Sequence, residues 1–165
     1  MGLFLVVFFM GGMEPGYSRV LDHDPSGFQG ILWGKSLVTH HELEQVDSED
    51  HIHIYQPKKA LVQFGGIPVE SLQYITINDQ FAKVRIHYRG EKTHQSIFHY
   101  LESHYGKIYL QPGAMMRGLN QQYTWRGPKT EITLVYRGLG ERGFLTVESR
   151  TLAPRFLDSI RDNSY

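Results

Sequence analysis

One stretch of the chain alternates strictly between apolar and basic side chains, and this alternation constrains the fold most. Residues 81–88 predict a β-strand, because side chains two apart along a strand lie on the same face. One face carries Ala82, Val84, Ile86 and Tyr88. The other face carries Lys83, Arg85, His87 and Arg89. We therefore expect a sheet with one face on a core and one open to water or a partner.

Further strand patterns lie on both sides of this one. They are residues 51–55, 60–64, 69–77, 123–125, 131–137 and 143–149. Turn signals separate several of them, at Gly65-Gly66, at Asn78-Asp79 and over 138–142. Short turns between consecutive strands imply antiparallel pairing.

Two segments have helical spacing. The clearer one places Ile97, Phe98, Leu101 and Tyr105 on one face and ends at Gly106. A shorter one begins at Ser36 and runs through Leu37, Leu43 and Val46. We therefore predict an α+β fold, a single curved antiparallel β-sheet with one long and one short helix packed on one face.

Length and composition exclude several classes of protein. A chain of 165 residues has room for one domain. Cysteine is absent, which excludes a disulfide framework, a thiol nucleophile and an acylated lipoprotein cysteine. Lys plus Arg and Asp plus Glu both number 17, and this balance argues against a nucleic-acid partner.

The N-terminal region contains an unbroken apolar run over residues 3–10. This run is far shorter than the ~20 residues that span a bilayer, so we expect no transmembrane span. It is typical of the apolar region of a secretory signal, although no basic residue precedes it. We expect a signal-like segment over 1–18, a flexible lead-in over 19–27, one domain over 28–150 and a loosely ordered tail over 151–165. The protein is then exported or periplasmic, and the alternative is a cytoplasmic protein in which 1–18 is a buried strand.

Several short motifs occur in a recognisable order. They are Phe28-Gln29-Gly30-Ile31-Leu32-Trp33-Gly34, Tyr105-Gly106, Tyr123-Thr124-Trp125-Arg126-Gly127 and Ile132-Thr133-Leu134-Val135-Tyr136. Their order over about residues 28–150 resembles a family of small exported bacterial proteins of uncharacterised function with an F-x-G-I-x-W-G opening. The layout is remotely similar to small-lipoprotein and β-lactamase-inhibitor-like folds, which implies protein binding. The resemblance brings no catalytic residues.

The chemistry of individual residues points to few sites. His51 and His53 are two apart and would share a face of a strand, which allows a weak metal site; the alternative is that both line an exposed face. No nucleophile elbow, phosphate loop or dinucleotide motif occurs. We therefore predict no catalytic residues, no cofactor and no metal.

The candidate interaction surface combines the basic stripe with the two tryptophans. It consists of Lys83, Arg85, His87, Arg89, Trp33 and Trp125. The stripe either solvates the sheet or holds an acidic partner or an anionic headgroup. We expect a non-enzymatic module that binds another envelope protein or component. The alternative is a small ligand-binding or hydrolase-like enzyme, which a concave pocket with converging polar groups would favour.

Overall fold

Twelve strands and one helix make up the part of the chain that the computed structural model describes, residues 17–109 and 120–153. In chain order they are β1 (Tyr17–Val20), β2 (Gly27–Phe28), β3 (Ile31–Leu32), β4 (Leu43–Glu49), β5 (Ile52–Pro57), β6 (Val62–Phe64), β7 (Ile67–Val69), β8 (Ser71–Ile77), β9 (Gln80–Arg89), α1 (Glu91–Tyr105), β10 (Asn120–Arg126), β11 (Thr130–Arg137) and β12 (Arg142–Ser149).

Eight strands form one large sheet in the order β1-β10-β11-β12-β9-β8-β5-β4. All neighbours in it are antiparallel except β1, which runs parallel to β10 with Tyr17 opposite Tyr123. The sheet is therefore mixed. The residues of β1 lie in the predicted signal-like segment (1–18) and in the predicted lead-in (19–27). The folded unit therefore includes the chain from Tyr17 onward.

The α+β prediction with one long and one short helix is wrong. The structure is 53% strand and 12% helical, with one helix among the described residues. In place of a short helix, single turns close at His40 and Leu43, and the chain then enters β4. Leu43 pairs with Pro57 in the sheet, whereas Val46 lies at a bulge and is exposed. The apolar residues of this segment thus supply a sheet edge and not a helical face.

Two short hairpins, β2–β3 and β6–β7, pack against the core. In β2–β3, Gln29 and Gly30 take positive φ angles of 48° and 84°, the backbone of a tight hairpin turn. In β6–β7, the predicted turn at Gly65-Gly66 is confirmed, with φ angles of 56° and 81°. The hairpins bring Phe28 and Phe64 together, with ring centroids 6.2 Å apart.

The long helix is confirmed as α1, and Gly106 ends it with a φ of 104°. Ile97 and Leu101 are fully buried, and the ring of Phe98 lies 4.4 Å from that of Tyr123 on the sheet. His94 lies on the same face and is also fully buried. Within the described ranges, no helix is long and apolar enough to cross a membrane.

The faces of β9 follow the sequence pattern closely. Val84, Ile86 and Tyr88 lie in the core under α1, as predicted. A bulge shifts the register between β8 and β9 at Ile75/Thr76, and beyond it Phe81 joins the core cluster. The basic residues of β9 therefore lie on the face of the sheet opposite α1.

Ile86 and Leu134 lie on the central strands and are fully buried. Replacing either residue with alanine should lower the free energy of unfolding by about 2–5 kcal/mol, because it leaves a cavity in a packed interior. Chemical denaturation measures the change. Leu139→Ala is the control, because Leu139 is 88% exposed and should change stability little. Losses below about 1 kcal/mol at both core sites would contradict the assigned faces.

Candidate functional site

A cleft of about 490 Å³ lies over the ends of β8, β9, β11 and β12. Its lining is mostly polar and consists of Glu70, Ser71, Gln73, Arg85, His87, Tyr88, Arg89, Arg137, Arg142, Gly143 and Phe144. We call it the arginine cleft. Four of these side chains are arginines and one is a glutamate, so the lining carries a surplus of three positive charges with His87 neutral. The chain as a whole is neutral, so this surplus is local.

Three of the arginines form a row across adjacent strands. Arg89 on β9 lies directly opposite Arg142 on β12, and Arg142 lies directly opposite Arg137 on β11. Neighbouring strands are about 4.8 Å apart, so the row spans about 10 Å. Like charges directly opposite each other destabilise a sheet. The row therefore has a cost that the fold alone does not require.

The arginines differ in how their charges are compensated. The Arg89 Nε donates to Glu70 Oε1 at 3.0 Å, and both side chains are about half exposed. For Arg85, Arg137 and Arg142, no carboxylate of the described chain lies within ion-pair distance. Three guanidinium groups thus face the cleft without an acidic side chain beside them.

Aromatic and neutral polar groups complete the cleft. The guanidinium of Arg137 lies over the ring of Phe144, 5.8 Å from its centroid, which is a cation–π contact. Phe144 pairs across the sheet with His87, and His87 pairs with Ser71 on the next strand. The cleft therefore offers an apolar surface and hydrogen-bonding groups next to its positive charges.

Lys83, the fourth member of the predicted basic stripe, lies outside the cleft. It is only 7% exposed, and its ammonium lies 3.4 Å from the Glu148 carboxylate. Glu148 in turn pairs in register with Glu131, and Glu131 accepts a 2.6 Å bond from Arg126. Lys83 thus belongs to a largely buried row in which Lys83 and Arg126 flank two glutamates, and only Arg85, His87 and Arg89 of the stripe line the cleft.

The two tryptophans of the candidate surface lie in or against the core. Trp125 is fully buried and donates its indole N–H to the Gly106 carbonyl at 2.8 Å. Trp33 is partly buried, 4.8 Å from the ring of Phe81, and donates to Thr130 Oγ1 at 3.0 Å. Trp33 thereby anchors the end of the β2–β3 hairpin to the core, and neither indole lies beside the basic stripe.

His51 and His53 do not share a strand in the structure. His51 lies in the turn before β5 and is exposed. His53 lies on β5, where its ring faces Ser48 Oγ at 2.9 Å and Asp79 Oδ1 at 3.3 Å. Over residues 17–109 and 120–153, no group of three His, Asp or Glu side chains is arranged to hold a metal ion.

A buried polar cluster joins the cleft to α1 through Tyr88. The Tyr88 hydroxyl lies 2.7 Å from His94 Nδ1 and 3.1 Å from the Val135 carbonyl oxygen, both within hydrogen-bond distance. His94 Nε2 lies 3.0 Å from Gln121 Oε1, which also accepts from Tyr123. Burial lowers the pKa of His94, and the weaker effect of the Gln121 bond raises it. Burial likewise raises the pKa of the Tyr88 hydroxyl, so both groups are neutral near pH 7.

A second cavity, of about 360 Å³, lies beside the β2–β3 hairpin. Aromatic rings of Phe28, Phe64, Tyr100 and Tyr105 line it, and its lining contains no charged side chain. Gly65 approaches the Tyr100 ring so closely that a side chain there would collide with it. This cavity offers apolar contact but few groups that would select a ligand.

Sequence reasoning missed Arg137, Arg142, Glu70 and Phe144 as members of the site. Arg137 precedes the predicted 138–142 turn and Arg142 is its last residue; in the structure the turn is one residue shorter, and the two arginines that flank it lie opposite each other. The positions of these two arginines around the turn could therefore have predicted that they lie close together. Nothing local predicts that β12 pairs with β9, because this contact depends on the order of strands in the sheet.

No family model, curated protein or solved structure matches the chain.

Removing one arginine from the row should stabilise the protein. Arg142→Gln ends two like-charge contacts, so the free energy of unfolding should rise by about a few tenths of a kcal/mol, and more at low salt than at high salt. Thermal and chemical denaturation at two salt concentrations measure this. Arg126→Gln, which breaks the bond to Glu131, should instead destabilise the protein. A destabilised Arg142→Gln would show that this arginine supports the fold.

The buried His94 should make stability depend on pH. Its pKa is lowered in the folded chain, so the unfolded chain binds more protons between that pKa and about 6.5. Stability should therefore fall as the pH drops below about 6.5, and this loss should stop once the folded His94 is protonated. The His94→Gln variant lacks this titration. The difference in free energy of unfolding between the wild type and the variant should therefore shrink between about pH 8 and about pH 5. A constant difference over that range would contradict the assignment.

Proposed function

We propose that this protein is a non-enzymatic binding module that holds an anionic group of a partner in the arginine cleft. The observation that supports it most is the row of Arg89, Arg142 and Arg137, in which two of three guanidinium groups have no acidic neighbour among the described residues. An anionic ligand would neutralise a repulsion that the free protein retains.

The cleft is the kind of concave pocket with converging polar groups that favours the ligand-binding alternative, and it supports binding of a discrete group. Its volume of about 490 Å³ is in the range of small-ligand sites. Guanidinium groups bind carboxylates and phosphates through paired N–H donors, so the charge also provides orientation. Phe144 and Gln73 give the cleft contacts that a purely electrostatic surface would lack.

We also propose, from the apolar run at residues 3–10, that the protein is exported and that its partner belongs to the cell envelope. Tyr17 and Ser18 pair with Tyr123 and Thr124 in the sheet, so removal of a leader is best accommodated if the cut precedes Tyr17. Sequencing the N-terminus of the protein from its native host tests this, and a cytosolic chain with Met1 intact would contradict it.

Charge removal from the cleft tests the binding proposal. Wild-type protein should bind polyglutamate, used as a generic anionic probe, more tightly at about 50 mM than at about 200 mM salt. The double variant Arg137→Gln/Arg142→Gln should bind at least about tenfold more weakly, because it loses charged hydrogen bonds. Fluorescence anisotropy measures both affinities.

A matched control separates the cleft from general charge. Lys58→Gln/Lys59→Gln also removes two positive charges, at exposed positions outside the cleft. It should bind polyglutamate as the wild type does. Equal weakening in both double variants would mean that net charge, and not the arginine cleft, determines binding.

A further inference from the structure

The most specific part of the cleft is the pair formed by Arg137 and Arg142. They are direct cross-strand partners, so their Cβ atoms lie about 5 Å apart. Neither has a carboxylate of the described chain within ion-pair distance, whereas Arg89 already pairs with Glu70. Two adjacent positive charges thus converge on one region of the cleft.

A single carboxylate is a poor match for this pair. It carries one negative charge, so it would leave one guanidinium uncompensated inside the cleft. A phosphate monoester carries up to two negative charges and three acceptor oxygens on one atom. It can therefore receive paired N–H donors from both arginines at once, which is the geometry that guanidinium groups favour.

The surroundings of the pair suit the organic substituent of a phosphate monoester. The ring of Phe144 lies under the Arg137 guanidinium and gives an apolar surface directly beside the charged position. Arg85 lies four residues from Arg89 on the same strand, about 13 Å away along it, whereas Arg137 and Arg142 are direct cross-strand partners and form the tighter pair of donors. The volume of the cleft leaves room for a substituent on the phosphate.

We infer that the arginine cleft takes a phosphate monoester, with the dianionic group between Arg137 and Arg142 and its organic substituent against Phe144. This inference rests on the proposed function and narrows it from anions in general to one chemical class. The monoester can belong to a phosphorylated side chain, a lipid headgroup or a free metabolite, because all three present the same group.

Phenyl phosphate and phenyl sulfate form the matched pair of probes. Both carry the same ring, but the sulfate ester has one charge at all relevant pH values, whereas the phosphate gains its second charge near pH 6. Titration calorimetry with the wild type at about pH 8 should show phenyl phosphate binding at least about fivefold more tightly. At about pH 5 this preference should disappear. His87, Glu70 and the arginines face both probes equally, so the difference reports the charge of the ligand.

Variants locate the preference within the cleft. Arg137→Gln and Arg142→Gln should each abolish the preference for phosphate over sulfate. The Lys58→Gln/Lys59→Gln control should leave it intact. Phe144→Ala should weaken phenyl phosphate but not inorganic phosphate. Persistence of the preference in both cleft variants would overturn the inference.

The outcomes also separate this inference from the proposed function. If both probes bind equally at pH 8 while polyglutamate still requires Arg137 and Arg142, the monoester is wrong but the anion-binding function stands. If polyglutamate is also insensitive to these arginines, the function itself fails. Where phenyl phosphate shows the expected preference, a phosphoserine peptide and vesicles containing phosphatidate identify the source: binding to one of them assigns it, and binding to neither assigns the monoester to a free metabolite.

Discussion

The register between β9 and β12 is the constraint on which the rest of the structure depends. It places Tyr88 opposite Gly143, where the absence of a side chain leaves room for the tyrosine ring. The ring can then direct its hydroxyl to the Val135 carbonyl and to His94 on α1. A slip of one residue would exchange the two faces of β9, moving arginines into the core and Ile86 out of it. The same pairing that seats the helix therefore also assembles the arginine row on the other face.

The sequence predicts the parts of this arrangement that depend on local periodicity. Alternation along β9 identified the core face from Ala82 to Tyr88 but missed the burial of Phe81 and Lys83, and helical spacing identified Ile97 and Leu101. His94 lies on the same helical face, three residues before Ile97, but a polar residue was not predicted to be buried. It is fully buried because both of its ring nitrogens have hydrogen-bonding partners. Spacing and the β12 turn would have placed Arg137 beside Arg142. The short helix failed as a prediction because Leu37 and Leu43 are anchored by turns and by pairing with β5, and such contacts are invisible in a local pattern.

Two rows of charged residues on the same face of the sheet differ in the signs of their charges and in their burial. Lys83, Glu148, Glu131 and Arg126 follow one another across four strands, include both signs and are largely buried. Arg89, Arg142 and Arg137 cross three of those strands but carry one sign. A row of mixed sign can pair its charges within the protein when it is desolvated, whereas a row of one sign needs water or a counter-charge. The contrast is a reason to interpret the first row as structure and the second as function.

The backbone that carries the cleft is held in place by packing on the opposite face of the sheet. Its walls are central strands whose other face is packed under α1, and Ile86, Leu145 and Leu134 beneath it are fully buried. In the proposed function, recognition would therefore depend on arginine side chains carried by a fixed frame. A frame of this kind keeps the guanidinium groups close without a ligand, so their repulsion is present before binding and relieved by it. The repulsion between the arginines opposes folding at this end of the sheet, and the same repulsion would favour binding of an anion there. The stability of arginine variants and their affinity for an anion would therefore both measure this one interaction.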